Sequence, residues 1–270
     1  ISSINCALMM LLGACLPFSS CAAGRCKKPI ALSILPRHPS ASPRWWGGAE
    51  VLSDLQLLHP HKDFAHRYWA ELVQKGDTVV DATAGNGHDT VALAMALGAR
   101  GGGTVYAFDV QQAALERTRC RVRSTLEDEG WVVEDGEGHA WQRTTGAELQ
   151  FRWGLGSHES LLATLEDASV RLVVFNLGYL PGGNKALVTK AGTTIPALLQ
   201  AERSVCGSGC VSVTVYSGHE GGSDEEEAVL NFASQMNQEN WSVYHTSWLN
   251  QRNKKNGRKA PSLVLMQRLR

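Results

Sequence analysis

Acidic residues are missing from the first 49 positions, which carry Arg25, Lys27, Lys28, Arg37 and Arg44 instead. That stretch is rich in Ser, Ala and Pro and shows no long periodic apolar pattern beyond Ala7–Leu12, so it does not read as a folding unit. An acid-free leader of this kind has the composition of an organelle transit peptide. A secretory signal fits less well, because the short apolar run Ala7–Leu16 lacks a basic segment before it. The chain opens on Ile rather than Met, so further sequence upstream is expected. No run is long enough to span a bilayer as a helix, and no membrane partner is expected. The reading is a disordered, cleaved leader over 1–50 and one folded domain over 51–270, placed in a chloroplast or, alternatively, a mitochondrion.

Paired cysteines are also lacking. Four of the seven (Cys6, Cys15, Cys21, Cys26) lie in the leader; Cys120, Cys206 and Cys210 remain, with no C-x-x-C among them. An odd, unpaired set excludes a disulfide framework and implies a reducing compartment. Cys206 and Cys210 flank a Gly-Ser-Gly turn, and His59, His61 and His66 cluster upstream. Neither group has the nearby ligands a zinc site needs, so no metal is expected. The histidine stretch reads instead as an opening helix within Leu52–Val73, with Phe64, Tyr68, Trp69 and Leu72 at helical spacing, lying over the mouth of a site.

Excess positive charge is absent from the remainder: residues 50–270 hold 21 basic against 26 acidic side chains, net −5. A mildly acidic domain does not bind nucleic acid broadly, and any RNA contact must come from a local patch. The loop Asn250–Ala260, with Arg252, Lys254, Lys255, Arg258 and Lys259, is the best candidate, although such a hairpin is often only a solvated turn.

What the chain does have is concentrated in Thr78–Thr90, T-V-V-D-A-T-A-G-N-G-H-D-T. A β-branched run ends at Asp81, a small-residue loop follows, and a helical pattern runs from Asp89 to Leu97. Strand, glycine loop and helix start form the first half of a nucleotide-binding βαβ unit. Gly85 and Gly87 let backbone approach a ligand, and the helix N-terminus favours an anionic group. The third glycine of the dinucleotide fingerprint is missing, and no Gly-Lys-Ser/Thr follows, so neither a nicotinamide site nor a P-loop is indicated. An acid-tipped strand followed by G-x-G instead matches S-adenosylmethionine (SAM) methyltransferases of the Rossmann-like class.

Later strand ends supply the rest. After a loop over Gly98–Gly103, Thr104–Phe108 reads as a second strand ending in Asp109, whose carboxylate suits two ribose hydroxyls, with Gln111 opening a helix through Gly130. Trp131–Glu148 reads as an irregular surface insertion before a third strand, Leu149–Trp153. Ser157 and His158 then stand where an adenine would lie, Ser157 alternatively serving as a helix cap. A fourth strand, Arg171–Phe175, ends in Asn176-Leu177-Gly178-Tyr179. Amino-directed methyltransferases carry Asn/Asp-Pro-Pro-Tyr/Phe at this place, where the Asn oxygen accepts from the target amine and the ring stacks on the base; here Leu177-Gly178 replace the prolines. A helix over Thr193–Val205, a fifth strand over Gly209–Tyr216 ending at His219-Glu220, a helix over Ser223–Glu239, and strands at Trp241–Leu249 and Ser262–Arg268 complete seven. The expected fold is α/β, a Rossmann-like class I SAM-dependent methyltransferase with a mostly parallel seven-stranded sheet and helices on both faces.

Taken together, D-A-T-A-G-N-G-H-D-T, F-D-V-Q, G-S-H-E-S-L, F-N-L-G-Y-L-P-G-G-N-K and Y-S-G-H-E-G-G resemble one family from about Leu55 onward. It was first described as rRNA methylases, and is similar to the tRNA 5-aminomethyl-2-thiouridine methyltransferases that complete the wobble base to 5-methylaminomethyl-2-thiouridine. The resemblance implies SAM as cofactor and tRNA, at its anticodon stem-loop, as partner, with a homodimer left open. It implies Asn86, His88, Asp109, Gln111, Ser157 and His158 around SAM, beside Asp81, Gly85 and Gly87 from the strand–loop reading. Asn176, Tyr179, His219 and Glu220 are implied around the target. The leader and the 131–148 insertion depart from compact bacterial members and suggest a plant organellar version. The rival readings are an rRNA base or another tRNA position as target, a nicotinamide oxidoreductase, and a SAM-binding RNA module without catalysis.

Overall fold

Val79 and Val80 are neighbours in the chain and belong to opposite cores, the period-two geometry of a strand covered on both faces. The computed structural model describes residues 60–134, 138–142, 144–179, 188–218, 221–250 and 260–270, all in the second of two compact units, Leu52–Arg270. The leader reading therefore lies outside the described residues, as do residues 52–59 of the opening helix and the basic positions of the 250–260 loop.

The described elements run in the order α1 (Pro60–Leu72), β1 (Thr78–Asp81), α2 (His88–Arg100), β2 (Gly102–Asp109), α3 (Gln112–Asp128), β3 (Trp131–Val133), β4 (His139–Gln142), β5 (Glu148–Leu155), α4 (His158–Leu162), β6 (Val170–Asn176), α5 (Ala191–Ser204), β7 (Val205–Val215), α6 (Gly222–Ser234), β8 (Trp241–Thr246) and β9 (Ser262–Arg268). The sheet order is β3-β4-β5-β2-β1-β6-β7-β9-β8. Its middle five strands, β5-β2-β1-β6-β7, are parallel. β9 and β8 extend one edge antiparallel, and β4 and β3 extend the other.

One face of the sheet packs Leu172 and Val174 against Ala65 and Trp69 of α1, Leu93 and Leu97 of α2, and Val122 and Leu126 of α3. The other packs Val173 and Phe175 against Leu162 of α4, Leu198 and Ala201 of α5, and Val229 of α6. Burying one such side chain is worth about 1.5–3 kcal/mol, which outweighs local propensity wherever the two conflict. α2 illustrates this: it does not stop at Leu97 but continues through Gly98 to Arg100, where the Gly101 N–H reaches the Gly98 and Leu97 carbonyls. A helical glycine costs only about 1 kcal/mol, and buried Leu93 and Leu97 hold the turn in place.

The seven expected strands are present, and β3 and β4 are two more. The stretch read as irregular folds back on β5 as a short antiparallel addition, pinned by buried Trp131 and Ala140. No helix among the described residues is long and apolar enough to cross a membrane.

The parallel strands leave β1 in both directions, β2 and β5 to one side, β6 and β7 to the other. Loops at the carboxyl ends of strands on either side of such a reversal part and leave a crevice.

Candidate functional site

The crevice is a cavity of about 580 Å3. Its walls come from the loop after β1 (Ala82–Asn86), the tip of β2 (Asp109–Gln111), the tip of β5 (Gly156–His158), the tip of β6 (Asn176–Tyr179), and a returning strap (Val188–Lys190). Lys62, His88, Asp89, Thr193 and Tyr216 close the remaining sides. A second hollow of about 290 Å3, lined by Glu134, His139 and Arg152 among others, lies at the sheet edge, away from the tips of the parallel strands.

Asp81 ends β1 but does not line the cavity, which corrects the expectation that it touches a cofactor. It is fully buried beneath the loop. Its carboxylate accepts the Thr83 N–H at 3.1 Å and the Thr90 hydroxyl at 2.6 Å. Burial, reinforced by the charge of Asp89, pushes its pKa from 3.8 up to about 7. In this pH window the folded chain keeps a proton that the unfolded chain has released, so stability falls as pH rises from about 4 to about 7. The Asp81→Asn variant lacks this titration. Its unfolding free energy relative to wild type is expected to improve steadily from acidic to neutral pH in denaturant titrations. A pH-independent difference would contradict the assignment.

Gly87 caps the start of α2 in the left-handed region, φ 79°. It shapes the loop from behind rather than lining the cavity: a Cβ there would lie 2.8 Å from the Thr118 Cα in α3. Gly87→Ala must push α3 outward, and thermal unfolding should show a loss of about 1–3 kcal/mol.

At the tip of β2, Asp109 ties two segments together. One oxygen accepts the Gly85 N–H at 2.9 Å and the other the Gln111 N–H at 2.8 Å. Asn86 is gripped from α3, where Arg117 Nε donates to its Oδ1 at 3.1 Å and Arg121 Nε to its carbonyl at 2.6 Å. The His88 imidazole is held below its usual pKa by burial and by the cationic Arg121 and Lys62. Ser157 caps α4 without a side-chain capping bond. His158, 8% exposed, packs edge-on to Phe175 at 5.8 Å, and its Nε2 is buried with no hydrogen-bond partner among the described residues. Burial also lowers its pKa, keeping it neutral.

The β6 tip is the most heavily tied part. The Asn176 backbone N–H donates to Thr83 Oγ1 at 2.7 Å, and its side-chain Nδ2 to Asp89 Oδ2 at 2.8 Å. Asp89 Oδ1 meets His66 Nε2 of α1 at 2.8 Å. Burial by itself would raise the Asp89 pKa, but the His66 contact, the nearby Lys62 charge and the Asn176 contact together outweigh it and hold the group below the usual carboxylate value. Gly178 follows at φ 133°, a conformation closed to proline, whose ring fixes φ near −65°. The departure from Asn-Pro-Pro-Tyr is therefore built into this backbone. The Gly178 N–H donates to Thr189 Oγ1 at 2.7 Å, the Thr189 N–H returns to the Gly178 carbonyl at 3.1 Å, and Tyr179 bridges Val188. Buried Glu225 accepts from the Thr189 and Thr194 hydroxyls at 2.9 and 2.6 Å, which anchors the strap. Tyr179 remains 45% exposed.

Of the residues singled out in the sequence, Gly85, Asn86, His88, Asp109, Gln111, Ser157, His158, Asn176 and Tyr179 meet around this one cavity. His219 and Glu220 lie outside the described residues. Sequence reasoning missed Lys62, Thr83, Asp89, Thr189, Lys190, Thr193 and Tyr216 as lining residues. Thr83 and Asp89 at least lie inside the strand–loop–helix motif that pointed to the site. Among the described residues no group of three His, Cys, Asp or Glu side chains is placed to hold a metal.

A five-stranded parallel centre that reverses at β1, an antiparallel β9–β8 edge and an acid-tipped β2 define the Rossmann-like class I SAM-dependent methyltransferase fold. The profile of the family described as "Putative rRNA methylase" matches residues 105–261, more than half of the chain, and the chain belongs to that family. A "putative rRNA-methylase" of known structure from Clostridium thermocellum is 31% identical, with a TM-score of 0.61, over 77% of this chain and 97% of that one. A "putative methyltransferase" from Streptococcus mutans, solved in complex with S-adenosylhomocysteine (SAH), is 29% identical with a TM-score of 0.58 over the same shares. The chain is also 40% identical over 182 residues to the chloroplastic tRNA (mnm(5)s(2)U34)-methyltransferase of Arabidopsis thaliana. That match covers 66% of this chain and 61% of the relative, so the chain spans about three fifths of the relative's length.

Proposed function

We propose that the chain is a SAM-dependent N-methyltransferase that converts 5-aminomethyl-2-thiouridine at the tRNA wobble position to 5-methylaminomethyl-2-thiouridine, acting in the chloroplast. The observation that carries this reading is Asn176 beside Tyr179 at one end of the cavity, an amide next to an exposed ring. The name and compartment of the Arabidopsis relative support the target and the location.

The donor set fits SAM. Asp109 is only partly buried, and each carboxylate oxygen keeps acceptor capacity beyond the backbone N–H it holds, which suits ribose hydroxyls. His158 and Ser157 at the β5 tip line the wall of the cavity beside Asp109, which suits the flat heterocycle next to the ribose. When bound, SAM supplies an electrophilic methyl group on a positively charged sulfur.

The protein's part is positional. Asn176 Oδ1 and the Leu177 carbonyl accept hydrogen bonds from the target amine and so orient it, with its nitrogen lone pair turned toward the methyl donor. Tyr179 stacks on the pyrimidine, and the strap held by Glu225 keeps that corner in place. His219 or Glu220 takes the proton released after transfer. Holding two reactants in line is worth several orders of magnitude in rate, so alignment supplies most of the acceleration.

The test is to incubate the protein with labelled SAM and tRNA bearing the unmethylated aminomethyl base, then separate the nucleosides by mass spectrometry. A methyl gained on that nucleoside is the expected result. Label in rRNA or at another tRNA position would move the target, and no transfer to any RNA would leave a SAM-binding module.

A further inference from the structure

Resting on the amine-directed reading above, we propose that Asp89, clamped by His66, is a positioning residue that sets Asn176 with its oxygen facing the substrate. A primary amide has two faces of nearly equal shape and opposite chemistry: turned one way it offers the cavity an acceptor, turned the other way two donors. Only the first can receive an N–H from a neutral amine and leave the nitrogen lone pair free. Nothing in Asn176 itself chooses between them.

Asp89 chooses. A carboxylate accepts and does not donate, so its 2.8 Å contact must be to Nδ2, which leaves Oδ1 for the cavity. The carboxylate in turn is kept from rotating by His66 Nε2, 2.8 Å from its other oxygen. His66 is on α1, Asp89 on α2 and Asn176 on β6, so three elements distant in sequence converge on one amide. The backbone of Asn176 is fixed separately by Thr83. A charge this deeply buried costs several kcal/mol unless it is paired, and of its two hydrogen-bonded partners Asn176 lines the cavity while His66 braces the carboxylate from α1.

The test is methyl transfer to tRNA bearing the aminomethyl base, with SAM binding followed by calorimetry. If the wild-type protein fails to methylate this tRNA, the functional reading fails before any variant is compared. Given wild-type activity, Asp89→Asn is expected to lower kcat by about 10- to 100-fold. SAM affinity should stay within about threefold, under 1 kcal/mol. N176D is expected to be similarly impaired, since two carboxylates then face each other. The double variant D89N/N176D restores a donor–acceptor pair of reversed polarity, with the amide at position 89 donating and one oxygen at position 176 still facing the cavity. It should regain about tenfold over either single variant, as paired sites do when their coupling is re-made. His66→Gln, which keeps a donor, should outperform His66→Phe in kcat. A double variant no better than the worse single, or an Asp89→Asn enzyme with unchanged kcat, overturns the proposal. Should Asp89→Asn fail to fold, equal kcat in the two His66 variants overturns it on its own.

Discussion

Asn176→Ala is expected to lose methyl transfer by about 100-fold or more while binding SAM almost as well as wild type. The expectation follows from where the side chain sits. Its Nδ2 is tied to Asp89 and its backbone to Thr83, so what remains for the cavity is one acceptor oxygen beside Tyr179. The segments proposed to hold SAM are the loop after β1 and the tips of β2 and β5, none of which includes that oxygen. Truncation removes the group that orients the amine, but not the groups that hold the donor. The split between the two effects is the diagnostic. Single-turnover rates and calorimetric SAM titration measure them separately. A collapse of SAM affinity in Asn176→Ala would place that side chain in the donor's site instead.

Asp109→Ala should show the reverse pattern. The carboxylate carries the Gly85 and Gln111 N–H bonds and is the proposed seat of the ribose hydroxyls. Hydrogen bonds to a charged group are worth about 1.5–3 kcal/mol each. Losing two or more weakens SAM binding by about 100-fold or more, at 1.4 kcal/mol per factor of ten. The rate at saturating SAM should fall far less than the affinity. Thermal melts without SAM separate this from unfolding, because Asp109 is only partly buried and the β2 core residues Val105 and Ala107 are untouched. An affinity within threefold of wild type (under 1 kcal/mol) would remove Asp109 from the cofactor site.

The middle of the parallel sheet was legible because β1 and β6 are buried on both faces and appear as apolar, Val-containing runs, Val79–Val80 and Leu172–Phe175. β3 and β4 were not legible. They are three and four residues long at a sheet edge, and polar residues such as His139 and Gln142 break any run. The end of α2 was misplaced because a local rule treats Gly98 as a stop, whereas packing of Leu93 and Leu97 decides.

The site followed the same division. Strand-tip residues announced themselves by type and order, as small loops and acids at the ends of apolar runs. Asp81 and Asp109 look alike in that respect, yet one is buried beneath the loop and the other reaches the cavity. Whether a tip carboxylate points in or out is decided by the neighbouring layer, here Thr90 of α2 against the Gly85 and Gln111 N–H groups. His66 stood out only as one of three clustered histidines, with nothing to connect it to Asp89, 23 positions on. Contacts between separate helices are made by the fold and leave no spacing to read.

A crystal structure with SAH would show how the cavity holds the donor. The ribose is expected on Asp109, the adenine beside Ser157 and His158, and the sulfur directed toward the Asn176–Tyr179 corner. Density for the ligand elsewhere, or a sulfur turned away from Asn176, would contradict this placement.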